Sequence, residues 1–157
     1  MTRPTLICMV PKNGTDREKI FIRTLLFSTG AKGQYIQNMF IRLSQSGRKT
    51  GTFNIWAYGD KELVRGSGLF VDKTGVAKYH HFLLPENEPD FKFTPGEYLI
   101  EIFLETIGGQ IKKIFSQRLL TPTYEPLNQS AIFFDWEPDK KEYYPHLDAG
   151  GGLPKLS

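Results

Sequence analysis

The side chains best suited to chemistry are His80 and His81, adjacent in YHHF, with Glu86, Glu88 and Asp90 a few positions further on. A histidine within reach of a carboxylate can move a proton near neutral pH, and an oxygen-rich loop can hold calcium. The surrounding residues argue against both uses. Neighbours on an extended strand project to opposite faces, so the two imidazoles cannot close on one metal ion. If Phe82 and Leu84 face the core then His80 goes inward, whereas if Tyr79 and Leu83 do then His81 does. One packed and one solvated histidine is the expected arrangement. The acidic loop lacks the regular carboxylate spacing and the glycine of a dedicated calcium site, and reads as a surface turn.

The remaining chemistry is sparser. Cys8 is the single cysteine, which excludes an intramolecular disulfide and any multi-cysteine metal site. It reads as a small apolar residue in a strand. Serines occur without a G-x-S-x-G elbow, and no glycine run precedes a helical pattern that would cradle phosphate. No catalytic residue, metal or cofactor is therefore expected. Residues 1–120 hold 17 basic against 11 acidic residues, a net +6, whereas residues 121–157 hold 3 against 6, a net −3. Arg42, Arg48 and Lys49 lie near one turn and Lys112, Lys113 and Arg118 in one run, but no stacking-aromatic pattern accompanies them, so nucleic acid is not an expected partner.

The elements that carry these groups read as strands. No segment repeats apolar residues at i, i+3, i+4 and i+7, whereas short alternating runs bounded by turn residues recur along the chain. Thr5–Val10, Lys19–Ser28, a run with Tyr35, Met39, Ile41 and Leu43 on one face and Gln37 interrupting it, and a run with Phe53, Ile55 and Ala57 on one face supply four. Glu62–Val71, bent or bulged at Gly66 and Gly68, and Val76–Leu84 supply two more. The last two flank Gly108-Gly109. A two-residue type I′ loop at those glycines opposes Glu105 to Lys112, Phe103 to Ile114 and Ile102 to Phe115, and turns Tyr98, Ile100, Ile102 and Leu104 to one face.

The run PGEY at residues 95–98, opening a strand that pairs with its successor, resembles the penultimate strand of immunoglobulin-like domains, where a tyrosine closes a corner. Trp56 in NIWAYGDKELV resembles their core tryptophan. Ile100 stands where the antibody pattern has its cysteine, so the disulfide is absent. The resemblance implies fold and not activity.

The expected fold is all-β: an antiparallel immunoglobulin-like β-sandwich of about eight strands over residues 1–121. A C-terminal extension follows, with an acidic, aromatic strap over 122–148 and a disordered tail over 149–157. Phe133, Phe134, Trp136, Tyr143 and Tyr144 in that strap are the candidate partner-binding residues, set among acids that suit a basic surface on the same chain or another. No run of about 18 apolar residues is present to span a bilayer, and the short apolar stretch ended by Pro11 does not make a signal peptide. The functional expectation is a non-catalytic protein-interaction or assembly module of the cytoplasm, with a protein partner or self-association. The alternatives are a small-molecule-binding β-barrel and an enzyme with a site near His80, His81 and the 85–90 loop.

Overall fold

Among the described residues the alternating segments become eleven strands: β1 (Leu6–Val10), β2 (Lys19–Leu26), β3 (Gln34–Gln45), β4 (Arg48–Tyr58), β5 (Leu63–Arg65), β6 (Leu69–Val71), β7 (Val76–Leu83), β8 (Glu97–Thr106), β9 (Ile111–Leu120), β10 (Ile132–Glu137) and β11 (Glu142–Leu147). The structure, a computed structural model, describes residues 1–14, 17–58, 63–65, 68–88, 91–123 and 130–147. Among them there is no helix, and every strand pairing is antiparallel. The strands join in one sheet, ordered β11-β10-β1-β2-β7-β4-β3-β8-β9, with β5 added to β4 and β6 to β3. The sheet curls into an open half-barrel.

Period-2 alternation decides what the curl encloses. Ile7 and Met9 of β1, Ile20 and Ile22 of β2, Ile41 and Leu43 of β3, Phe53 of β4, Phe82 of β7, and Tyr98, Ile100 and Ile102 of β8 all point inward and are buried. They form one core with Leu119, Phe134 and Tyr143. The inner face expected for β8 is therefore the one observed. A smaller cluster of Cys8, Phe21 and Phe133 covers part of the opposite face.

The differences from expectation have local causes. The hairpin loop is three residues long: the Gly109 N–H donates to the Thr106 carbonyl at 2.8 Å, and the Thr106 N–H to the Gln110 carbonyl at 3.0 Å. Only Gly109, at φ +77°, is left-handed, as in a type I turn followed by a left-handed residue. Glu105 consequently opposes Ile111 instead of Lys112, and Phe103 opposes Lys113 instead of Ile114. A bulge at Ile114 absorbs the offset, so that Ile102 meets Phe115 as expected. Lys113 reaches the Glu101 carboxylate at 2.8 Å. In β3 the interruption at Gln37 is also a bulge. It reverses the parity before it, which puts Ile36 in the core and leaves Tyr35 outside.

The Glu62–Val71 segment is two short strands on different partners, β5 on β4 and β6 on β3. Trp56 is half-buried and carries the Arg17 guanidinium 4.8 Å above its ring, while Phe53 is the core aromatic of that strand. The C-terminal segment completes its own sheet. Cys8 opposes Phe133 and Ile7 opposes Phe134 where β10 joins β1, and β11 folds back on β10. Pro145 in β11 sits on an end strand, the place where a residue without an N–H is tolerated. The expected disordered tail, 149–157, lies outside the described residues.

Candidate interaction site

One end of the half-barrel is formed where β2 finishes, β3 begins, β6 pairs with it, and the β8–β9 loop turns. The Gln37 bulge projects Tyr35 outward, opposite Phe70 of β6, and their rings lie 4.7 Å apart. Gly33 makes this approach possible: it has φ +70°, and a Cβ there would stand 2.7 Å from the Phe70 ring. At the tip of the neighbouring loop Ile107 is 66% exposed. Tyr35 is 60%, Phe70 45% and Phe27 40% exposed.

Two hollows lie among these side chains. One of about 300 Å³ is lined by Tyr35, Ile36, Leu69, Phe70 and Ile107, with the Gln37 amide as its polar side chain. The other, of about 240 Å³, has apolar walls of Met1, Leu26, Phe27, Ile36, Leu104 and Ile114, and Ser28, Thr29, Gln34 and Lys112 supply its polar side chains. Ile36 is common to both. Tyr35, Phe70 and Ile107 border one hollow and Phe27 borders the other, and exposed apolar side chains grouped in this way are of the kind that marks a docking surface.

The residues whose types best suit chemistry lie elsewhere. His80 and His81 do point to opposite faces, opposite Ile22 and Phe21 respectively. Both are buried, however, so the expectation of one solvated histidine fails. The sheet has covered apolar surface on both sides at β7, and His81 stacks on Phe21 at 5.5 Å. Burial, with Lys19 and His80 nearby, lowers the His81 pKa to about 4, so this imidazole is neutral at physiological pH. Glu86 is exposed and 3.8 Å from Arg17, while Asp90 lies outside the described residues. Among the described residues no three histidine, cysteine or acidic side chains gather as metal ligands.

Of the candidate partner-binding aromatics, Phe133, Phe134 and Tyr143 are buried by their own chain. The Tyr143 hydroxyl donates to the Pro4 carbonyl at 2.7 Å, and burial raises its pKa to about 12. Trp136 lies under the Arg3 guanidinium at 4.1 Å. Tyr144, 55% exposed, is the one of the five that faces solvent. Sequence reasoning passed over the apolar end, though Ile107 beside a glycine pair was a visible signal, because an aliphatic residue at a loop tip has no structural use there. No protein-family profile, curated protein or solved structure matches the chain. Among the described residues no helix is long and apolar enough to cross a membrane.

Proposed function

We propose that the protein is a non-catalytic interaction module of the cytoplasm that docks a protein partner, or a second copy of itself, through the apolar end of its half-barrel. The observation that carries this reading is the exposed cluster of Phe27, Tyr35, Phe70 and Ile107 around two hollows. Large apolar side chains held in water cost stability and solubility unless something covers them. The fold is read as an immunoglobulin-like variant opened at one side. In support, the Tyr98 hydroxyl accepts the Thr94 N–H at 2.7 Å, four residues upstream, as a tyrosine corner does.

The test is a double variant, Tyr35→Asp with Ile107→Asp, compared with wild type for hydrophobic-dye binding, mass in solution and proteins captured from native lysate. The reading expects the variant to fold and melt as wild type does while losing dye binding and association. Unchanged association in a folded variant would exclude this surface. A small-molecule function is the second reading, favoured by the 300 Å³ hollow, which meets the lower size of such sites.

A further inference from the structure

Apart from the short branch strands β5 and β6, the sheet ends in β11 and β9, and these two edges differ. β11 contains Pro145, which blunts an edge. β9 runs for ten residues without proline and, among the described residues, pairs with β8 on one side only, so its other side presents backbone donors and acceptors. Its three cations also differ. Lys113 and Arg118 project to the outer face and pair with Glu101 and Glu97 of β8. Lys112 opposes Leu104 on the inner face and lines the 240 Å³ hollow. Among the described residues no carboxylate pairs with it.

An ammonium at the start of an open strand edge, beside a hollow walled by Leu26, Phe27, Ile36, Leu104 and Ile114 with Ser28, Thr29 and Gln34 also in its lining, is complementary to a group that is both apolar and anionic. A strand added antiparallel to β9 ends beside the start of β9. Its last side chain then has the hollow before it and its terminal carboxylate has Lys112. The available length is limited. Further along, Arg3 donates to the Gln117 side chain at 3.0 Å while its guanidinium covers Trp136, which closes the seam beyond Ser116. The hollow, at ~30 Å³ for each water-sized group, takes about eight non-hydrogen atoms, enough for one aliphatic or aromatic side chain.

We infer that the Ile111–Ser116 edge of β9 binds the extended C-terminal segment of a partner protein, with its last, apolar residue in the 240 Å³ hollow and its free carboxylate on Lys112. This deepens the proposed docking function and commits it to one occupant. A second copy joined through β9 to β9 is disfavoured, because Lys112, Lys113 and Arg118 of the two chains would be brought together.

The experiment titrates the full chain with an acetylated pentapeptide of alternating valine and serine ending in leucine, as free acid and as C-terminal amide, followed by methyl and amide NMR shifts. Shifts at Leu26, Ile36, Leu104 and Ile114 are expected with the free acid, and at least about tenfold weaker binding with the amide, which corresponds to roughly 1.4 kcal/mol. Lys112→Gln should weaken the acid by a similar factor and leave the amide unchanged, whereas Lys113→Gln should alter neither. Equal binding of acid and amide overturns the inference, as does no response at the hollow. Binding of octanoate there without the peptide also overturns it, by making the hollow a small-acid site. The Tyr35 and Ile107 variants judge the docking function separately, so failure of the peptide alone leaves that reading standing.

Discussion

β3, β8 and β9 share two ends that are built to opposite rules. Where β3 and β9 finish and β8 starts, polar groups are paired within the chain and aromatic side chains pack beneath them, although Leu120 is exposed there. The Tyr98 hydroxyl accepts the Thr94 N–H, Gln45 donates to the Pro95 carbonyl at 3.1 Å, and the Gly96 N–H donates to the Thr121 hydroxyl at 2.8 Å. In the adjoining core Phe53 stacks on Phe93, and Phe91 meets both edge to face. At the opposite end Tyr35, Phe70 and Ile107 stand in solvent beside unfilled hollows. Both ends use a glycine in a left-handed or glycine-only conformation, Gly96 at φ +134° and Gly109 at +77°. Glycine content alone therefore does not separate them. The separation lies in whether the groups that the turn releases find partners in the same chain, which is the difference between an end serving stability and one serving recognition.

The largest expected effect falls between the two ends. Ile102 is fully buried in the middle of β8, so Ile102→Ala should lower the unfolding free energy by about 2 to 5 kcal/mol in chemical denaturation. Loss of less than about 1 kcal/mol would mean that the core does not couple the two ends and that each is stabilised locally.

The sheet was legible where one face is buried and the other is not. Tyr98, Ile100 and Ile102 alternate with Glu97 and Glu101, and that contrast fixes which side faces inward. Register was less legible, because two glycines permit a two-residue loop but do not require it. The β-bulges at Gln37 and Ile114 leave little trace in composition, and each moves neighbouring side chains across the sheet. The β10–β11 hairpin was legible only as an aromatic strap, and Pro145 hides the strand that closes it. The apolar end was not legible as a site, since Tyr35 alternates correctly with a core residue until the bulge is known. The edge at β9 depends on sheet order, which short-range patterns do not encode.

A third region sharpens the contrast, since His81 is a titratable group buried without either end's purpose. Its pKa is lowered to about 4, chiefly by burial, from the ordinary value of 6.5. The folded protein thus favours the neutral imidazole, and the unfolded chain binds the proton more readily. Stability from this group is complete above about pH 6.5 and is lost progressively as pH falls towards about 4, by about 3 kcal/mol. Urea denaturation at pH 7, 5.5 and 4 should show that loss, and His81→Gln should flatten it. A His81→Gln profile as steep as wild type would assign the slope to other groups.

At the end whose polar groups are paired, Tyr98→Phe removes one oxygen and leaves the ring. The Thr94 N–H then loses its partner in a partly buried setting, along with the contact between the Thr94 and Tyr98 hydroxyls at 3.2 Å. A loss of about 1 to 3 kcal/mol is expected, with an unchanged dependence on denaturant. A change near zero would show that water replaces the hydroxyl and that the corner is less closed than its hydrogen bonds imply.

The smallest effect on stability is expected at the open end. Ile107 is mostly exposed at the loop tip, and the φ of +77° that the turn needs belongs to Gly109, so Ile107→Asp leaves the hairpin backbone intact. Its unfolding free energy should stay within about 0.5 kcal/mol of wild type, as for other surface changes away from caps and cores. Binding of a hydrophobic dye should fall, because a carboxylate then faces the hollow beside Tyr35 and Phe70. The pairing of Ile107→Asp with Tyr98→Phe states the comparison as two numbers, one large in stability and small in dye binding, the other the reverse. If Ile107→Asp instead lowers the melting temperature by more than about 4 °C, Ile107 supports the loop, and both ends serve stability.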